Sequence, residues 1–87
     1  MKTFILDGSD VMGREDLHNK LAEGLGFPEW YGGNLDALYD CLTELEETTV
    51  RITGKRDMEI TLGDYVNKVL RVLRDAAEEN DRLHLEF

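Results

Sequence analysis

A two-layer α/β fold, a small parallel sheet with helices packed on one face, is predicted by three features of the sequence. The apolar pattern runs strand, helix, helix, strand, helix, strand, so every pair of successive strands is separated by a helix, and crossovers of that kind join parallel strands. The later strand candidates alternate polar with apolar residues, which leaves one sheet face to water and gives the other to the helices. At 87 residues, the length suits a single domain, residues 1–87.

The elements follow in order. Phe4-Ile5-Leu6 ahead of Asp7-Gly8 reads as a short strand stopped by a turn pair. Leu17, Leu21 and Leu25 fall at i, i+4 and i+8 behind Glu15 and Asp16, which predicts a helix of about three turns that Gly24 or Gly26 and then Pro28 would end. Pro28 to Gly33 is turn-like, and Asn34 is a good N-cap for a second helix from Leu35 to about Leu45. In that helix Leu35, Leu38, Leu42 and Leu45 make one apolar stripe with Cys41 beside it. The opposite strip holds Asp36, Tyr39, Asp40 and Thr43. Thr49 to Thr53 and Arg82 to Phe87 alternate as strands, while 55–62 fits either a short helix or an extended link. Between them Asp64 to Asn80 is the strongest helix, with Tyr65, Val66, Val69, Leu70, Leu73, Ala76 and Ala77 on a wide apolar face.

Charge narrows the function. The net charge of −9 repels a phosphate backbone and an anionic membrane surface, so any charged partner should be basic. The acidity is also local: Leu21 to Val50 contains no Lys or Arg but carries seven of the nineteen acids. A solvated helix face would account for an acid-rich stretch of this kind. The single cysteine excludes an internal disulfide, and the opening Met1–Asp7 is too short in apolar residues for a signal peptide or membrane span. A soluble, cytoplasmic protein is expected.

Catalytic constellations are scarce. His18 and His84 lack the spacing of a metal or nucleophile motif, and His18 reads as a solvated helix residue. Gly32-Gly33 before a helix is half of a phosphate loop, but the Lys and the hydroxyl residue do not follow. Asp36 and Asp40 could hold a hard cation or act as an acid/base pair, though 87 residues offer little cleft for either. Cys41 reads as a small core residue rather than a nucleophile. No cofactor or metal is expected. What remains is a surface: Trp30, Tyr31 and Tyr39 adjoin the acidic helix, and aromatic anchors ringed by charge are a common hot-spot composition. Burial of Trp30 and Tyr31 in the core is the competing placement.

The run Pro28-Glu29-Trp30-Tyr31-Gly32-Gly33-Asn34-Leu35-Asp36-Ala37-Leu38-Tyr39-Asp40-Cys41-Leu42-Thr43 closely resembles the signature of the barstar family, intracellular protein inhibitors of secreted bacterial ribonucleases. Asp16-Leu17-His18 and Val69 to Ala76 are similar to that family's first and last helices. The resemblance implies a three-stranded parallel sheet in the order 1-2-3 and a one-to-one complex with a basic ribonuclease. It implies that Asp40 takes the place of a substrate phosphate and Asp36 is a second ion-pairing acid. Trp30 and Tyr31 would be packing residues of the loop, Asn34 and Thr43 polar contacts, and Tyr39 an aromatic on the helix face. Glu79 would match an outlying acid and Asp75 a further charged position. Trp30, Tyr39 and Glu44-Leu45 depart from the tyrosine, tryptophan and glycine–tryptophan of the family's type member. Other classes remain open on sequence grounds: an acidic interaction module for a basic partner that is not a nuclease, or a carboxylate-based enzyme.

Overall fold

Lys2–Asp7 forms strand β1, and the reason it stops is local. The Asp7 carboxylate accepts from the Ser9 amide at 3.0 Å and the Ser9 hydroxyl at 2.7 Å, bending the chain into a 3-10 turn over Gly8–Asp10. Those two bonds hold the Asp7 carboxyl below its ordinary range. The computed structural model describes residues 2–87.

Helix α1, Arg14–Leu25, buries Leu17, Leu21 and Leu25 as their spacing predicts. It ends at Gly26, whose φ of 69° lies in the left-handed region, and the Phe27 amide donates back to the Ala22 carbonyl at 3.0 Å. The next helix, α2, runs Leu35–Thr43. Strand β2, Thr48–Thr53, follows, then α3, Lys55–Leu62, and α4, Tyr65–Glu79. Strand β3, Leu83–Glu86, completes the sheet. The ambiguous segment 55–62 is thus a helix, with Met58 and Leu62 turned inward one turn apart.

The sheet is parallel with the order β1-β2-β3, as expected from the resemblance. Lys2 to Asp7 pair in sequence with Thr48 to Thr53, and Thr48 to Arg51 pair with Leu83 to Glu86. Leu6, Val50, Ile52 and Leu83 point to the buried side, where they join the inward residues of all four helices in one core. Ile5, Arg51, Thr53, His84 and Glu86 stand exposed on the other side. Arg51 and Glu86, register partners in adjacent strands, pair there at 2.9 Å. The helices therefore cover one face only.

Helix α2 stops at Thr43, two residues short of the expected Leu45, and the cause is tertiary. Asn80, the buried cap of α4, donates through Nδ2 to the Leu42 and Leu45 carbonyls, each at 3.0 Å. A further α-helical turn would need the Leu42 carbonyl for its own amide four residues on. Asn80 takes it instead, while Leu45 N–H settles for the Leu42 carbonyl at 3.3 Å in a tightened last turn.

One close approach gives a test of the packing. A Cβ at Gly8 would sit 2.2 Å from the Gly54 carbonyl oxygen and 2.8 Å from its carbon, both backbone atoms that cannot swing aside. Gly8→Ala is expected to destabilise by about 1–3 kcal/mol through overpacking where β1 and β2 end. Thermal unfolding by circular dichroism should show the midpoint falling by at least about 4 °C; an unchanged midpoint would refute this contact.

Candidate inhibitory surface

The surface is built on α2 and the loop that leads into it. Asn34 is extended at φ −130° and ψ 169°, and its Oδ1 accepts the Ala37 amide at 2.8 Å, closing the helix start. Asp36 sits in the first turn, where the positive end of the helix dipole favours a carboxylate. Leu38, Cys41 and Leu42 are buried, so the helix cannot rotate without exposing them. That orientation leaves Asp36 and Asp40 exposed one turn apart, with Tyr39 and Thr43 half-buried beside them. Thr43 Oγ1 donates to the Asp40 carbonyl at 2.9 Å. Three Lys or Arg ion pairs and a His84–Glu47 contact occur among the described residues, and none uses Asp36 or Asp40. Two carboxylates with no internal cation face water together.

The loop divides its aromatics between the two placements weighed from sequence. Trp30 is 61% exposed, which removes it from the core. Tyr31 is half-buried: its ring centroid lies 4.9 Å from that of Phe27, and its hydroxyl hydrogen-bonds His18 Nδ1. Burial, followed by the neighbouring Cys41 and Tyr65, pushes the Tyr31 phenol well above its ordinary value, so it is a neutral hydroxyl.

His18 departs from expectation. Read as a solvated residue, it is only 3% exposed and lies between two phenols, with Nε2 2.7 Å from the Tyr65 hydroxyl. Its position three residues before Leu21 sets it on the border of the α1 stripe, the one signal in the sequence that could have suggested burial. What hides it is a loop and a helix remote in sequence, through Tyr31 and Tyr65.

Glu79 and Asp75 are both exposed on α4, one turn apart. Glu79 is exposed at the end of α4, where the adjacent Asn80 binds the carbonyls of Leu42 in α2 and Leu45 just beyond it. Asp75 lines a shallow depression with Lys68 and Arg71, to which α2 contributes nothing. The structure thus places Glu79 near the end of the acidic helix and Asp75 one turn farther along the same face of α4.

Burial first, then the Glu44 and Asp40 carboxylates, push the Cys41 thiol up, away from the reactive thiolate. Among the described residues no group of three or more His, Cys, Asp or Glu could hold a metal ion. No helix among them is long and apolar enough to cross a membrane.

Comparison with known proteins agrees with this geometry. The family model for Barstar (barnase inhibitor) matches residues 1–87. A protein of Bacillus subtilis (strain 168) that bears the name "Putative ribonuclease inhibitor YrdF" is 42% identical over 82 residues, covering 91% of this chain and 89% of that protein. A three-stranded parallel sheet in the order 1-2-3, an asparagine-capped acidic helix on its covered side and a match along the whole sequence lead to one assignment: the chain belongs to the barstar family.

Proposed function

We propose that this protein is an intracellular, cytoplasmic inhibitor of a ribonuclease, binding one-to-one by seating α2 and the Pro28–Asn34 loop in the nuclease's active-site cleft. The observation that carries the reading is the pair of exposed, internally unpaired carboxylates Asp36 and Asp40 on one helix face. A ribonuclease cleft is positive because it binds RNA. Asp40 takes the position of a substrate phosphate among the cationic side chains there, and Asp36 pairs with a second cation. Exposed Trp30 supplies an apolar anchor, while Tyr39, Thr43 and Asn34 frame the contact and Glu79 meets the cleft's edge. Asp75, one turn before Glu79 on the same exposed face of α4, continues that acidic edge. No step of chemistry belongs to the inhibitor; it blocks access and satisfies the cleft's charges.

The test uses barnase, the nuclease named in the family's description, in a fluorogenic RNA cleavage assay. Inhibition saturating at one equivalent is expected, with an association rate that falls as ionic strength rises because the facing charges become screened. The barnase–barstar pair associates by such steering, and the same salt dependence is expected here. Failure to inhibit barnase and the basic ribonucleases of the source organism alike would overturn the proposal and leave an acidic module for some other basic partner.

A further inference from the structure

The segment from Phe27 to Gly33 carries the exposed anchor Trp30 but has few ties of its own. Within it the Tyr31 amide donates to the Pro28 carbonyl at 3.0 Å, closing a single turn. Among the described residues its one side-chain hydrogen bond to the rest of the protein runs from Tyr31 to His18. Gly33, at φ 67°, passes the same histidine at ordinary packing distance: a Cβ there would be 3.8 Å from His18 Cβ. The other ring nitrogen of His18 reaches Tyr65 at the start of α4, and the Arg14 guanidinium lies 4.3 Å over the Tyr65 ring. Loop, α1 and α4 therefore meet on one imidazole.

We propose that His18 and Tyr65 are positioning residues that hold the partner-facing loop through Tyr31, and that protonation of His18 releases it. This rests on the inhibitor reading only for its consequence in binding. The chemistry is a matter of donors and acceptors. A neutral imidazole offers one of each, so one phenol donates to the ring while the other accepts from it. An imidazolium has two donors and no acceptor, and both phenols must then accept, leaving their own hydrogens to find partners elsewhere.

The surroundings set the sign. Arg14 and Glu15 of α1 and Asp36 of α2 line the hollow beside His18, with Tyr31 from the loop and Tyr65 from α4; the Cys41 thiol lies near enough to act on Tyr31. Burial outweighs these and holds the His18 imidazole below its ordinary value of 6.5. The folded protein keeps the neutral ring where the unfolded chain would already be charged. Its contribution is therefore complete above about pH 6.5 and is lost as pH falls from there through the lowered folded value.

Trp30 is the chain's single tryptophan and adjoins Tyr31, so its fluorescence anisotropy reports the loop directly. In the wild-type protein anisotropy should drop between pH 7.5 and 5 with a midpoint below about 6.5, while far-UV circular dichroism stays constant. His18→Gln, whose amide keeps one donor and one acceptor without titrating, should hold the loop at every pH. Tyr65→Phe, which removes one of the two hydrogen bonds at His18, and His18→Phe, which removes both, should lower anisotropy already at pH 7.5; Tyr65→Phe should weaken barnase binding by roughly three- to tenfold, the scale of one hydrogen bond, and His18→Phe by at least as much. Affinity measured against pH with the same nuclease should lose part of its acid decline in His18→Gln. If Tyr65→Phe leaves both anisotropy and affinity at wild-type values, or if His18→Gln titrates as the wild type does, the proposal falls and the inhibitor reading stands. Should the protein bind no ribonuclease, the anisotropy series still decides the positioning role by itself.

Discussion

Asp40→Ala is expected to weaken binding to the target ribonuclease by about 3–5 kcal/mol, two to three and a half orders of magnitude in Kd, the cost typical of removing one partner from a buried ion pair. Most of that loss belongs to the partner, whose cationic side chains would remain desolvated with nothing to neutralise them. The free protein should hardly notice. Asp40 is exposed and takes part in no ion pair, so its carboxylate contributes no contact to the fold. Its thermal midpoint should stay within the small range of surface substitutions, about 0.5 kcal/mol either way. Isothermal titration with barnase or the native target, beside thermal melts of the two free proteins, measures both halves. A stable Asp40→Ala protein that binds as tightly as wild type would sink the phosphate-mimic mechanism.

Leu42→Ala should have the opposite profile. Leu42 is fully buried on the face of α2 that rests on the core, and its carbonyl receives Asn80. Truncation removes buried apolar area and leaves a cavity, at about 2–5 kcal/mol. For a domain of this size each kcal/mol moves the midpoint by roughly 4–8 °C, so a fall of about 8 °C or more is predicted in a thermal melt. Wherever the variant is still folded, its affinity should remain near wild type, because the carboxylates on the far side of the helix are untouched. A midpoint unchanged within 2–3 °C, an allowance of roughly half a kcal/mol, would contradict the assigned packing of α2. Two residues of one helix, two positions apart, thus separate inhibition from stability.

Much of the candidate surface was readable because a helix's period converts residue spacing into direction. Once Leu38 and Leu42 are committed to the core, Asp36 and Asp40 have to face water, and Asn34 ahead of them has to cap. The same logic recovered the stripe of α1 and the wide face of α4. It gave less for Trp30 and Tyr31, adjacent loop residues with no period to divide them, and the structure exposes one while pinning the other on His18. Residues 55–62 were equally undecided, since two inward side chains in eight positions satisfy more than one pattern.

Residue spacing alone determined the parallel α/β architecture, the end of α1 and both boundaries of α4 to within a residue or two, and the acidic face of α2, because each depends on neighbours a few positions apart. Tertiary structure decided what depends on atoms distant in the chain. Asn80 ends α2 by taking the Leu42 carbonyl, and Tyr31 and Tyr65 turn a histidine at the border of an apolar stripe into the joint of loop, α1 and α4. A hydrogen bond has a direction and a partner, and periodicity records neither. Hydrophobic spacing says which side of a helix is buried; only the folded chain says which donor meets which acceptor there.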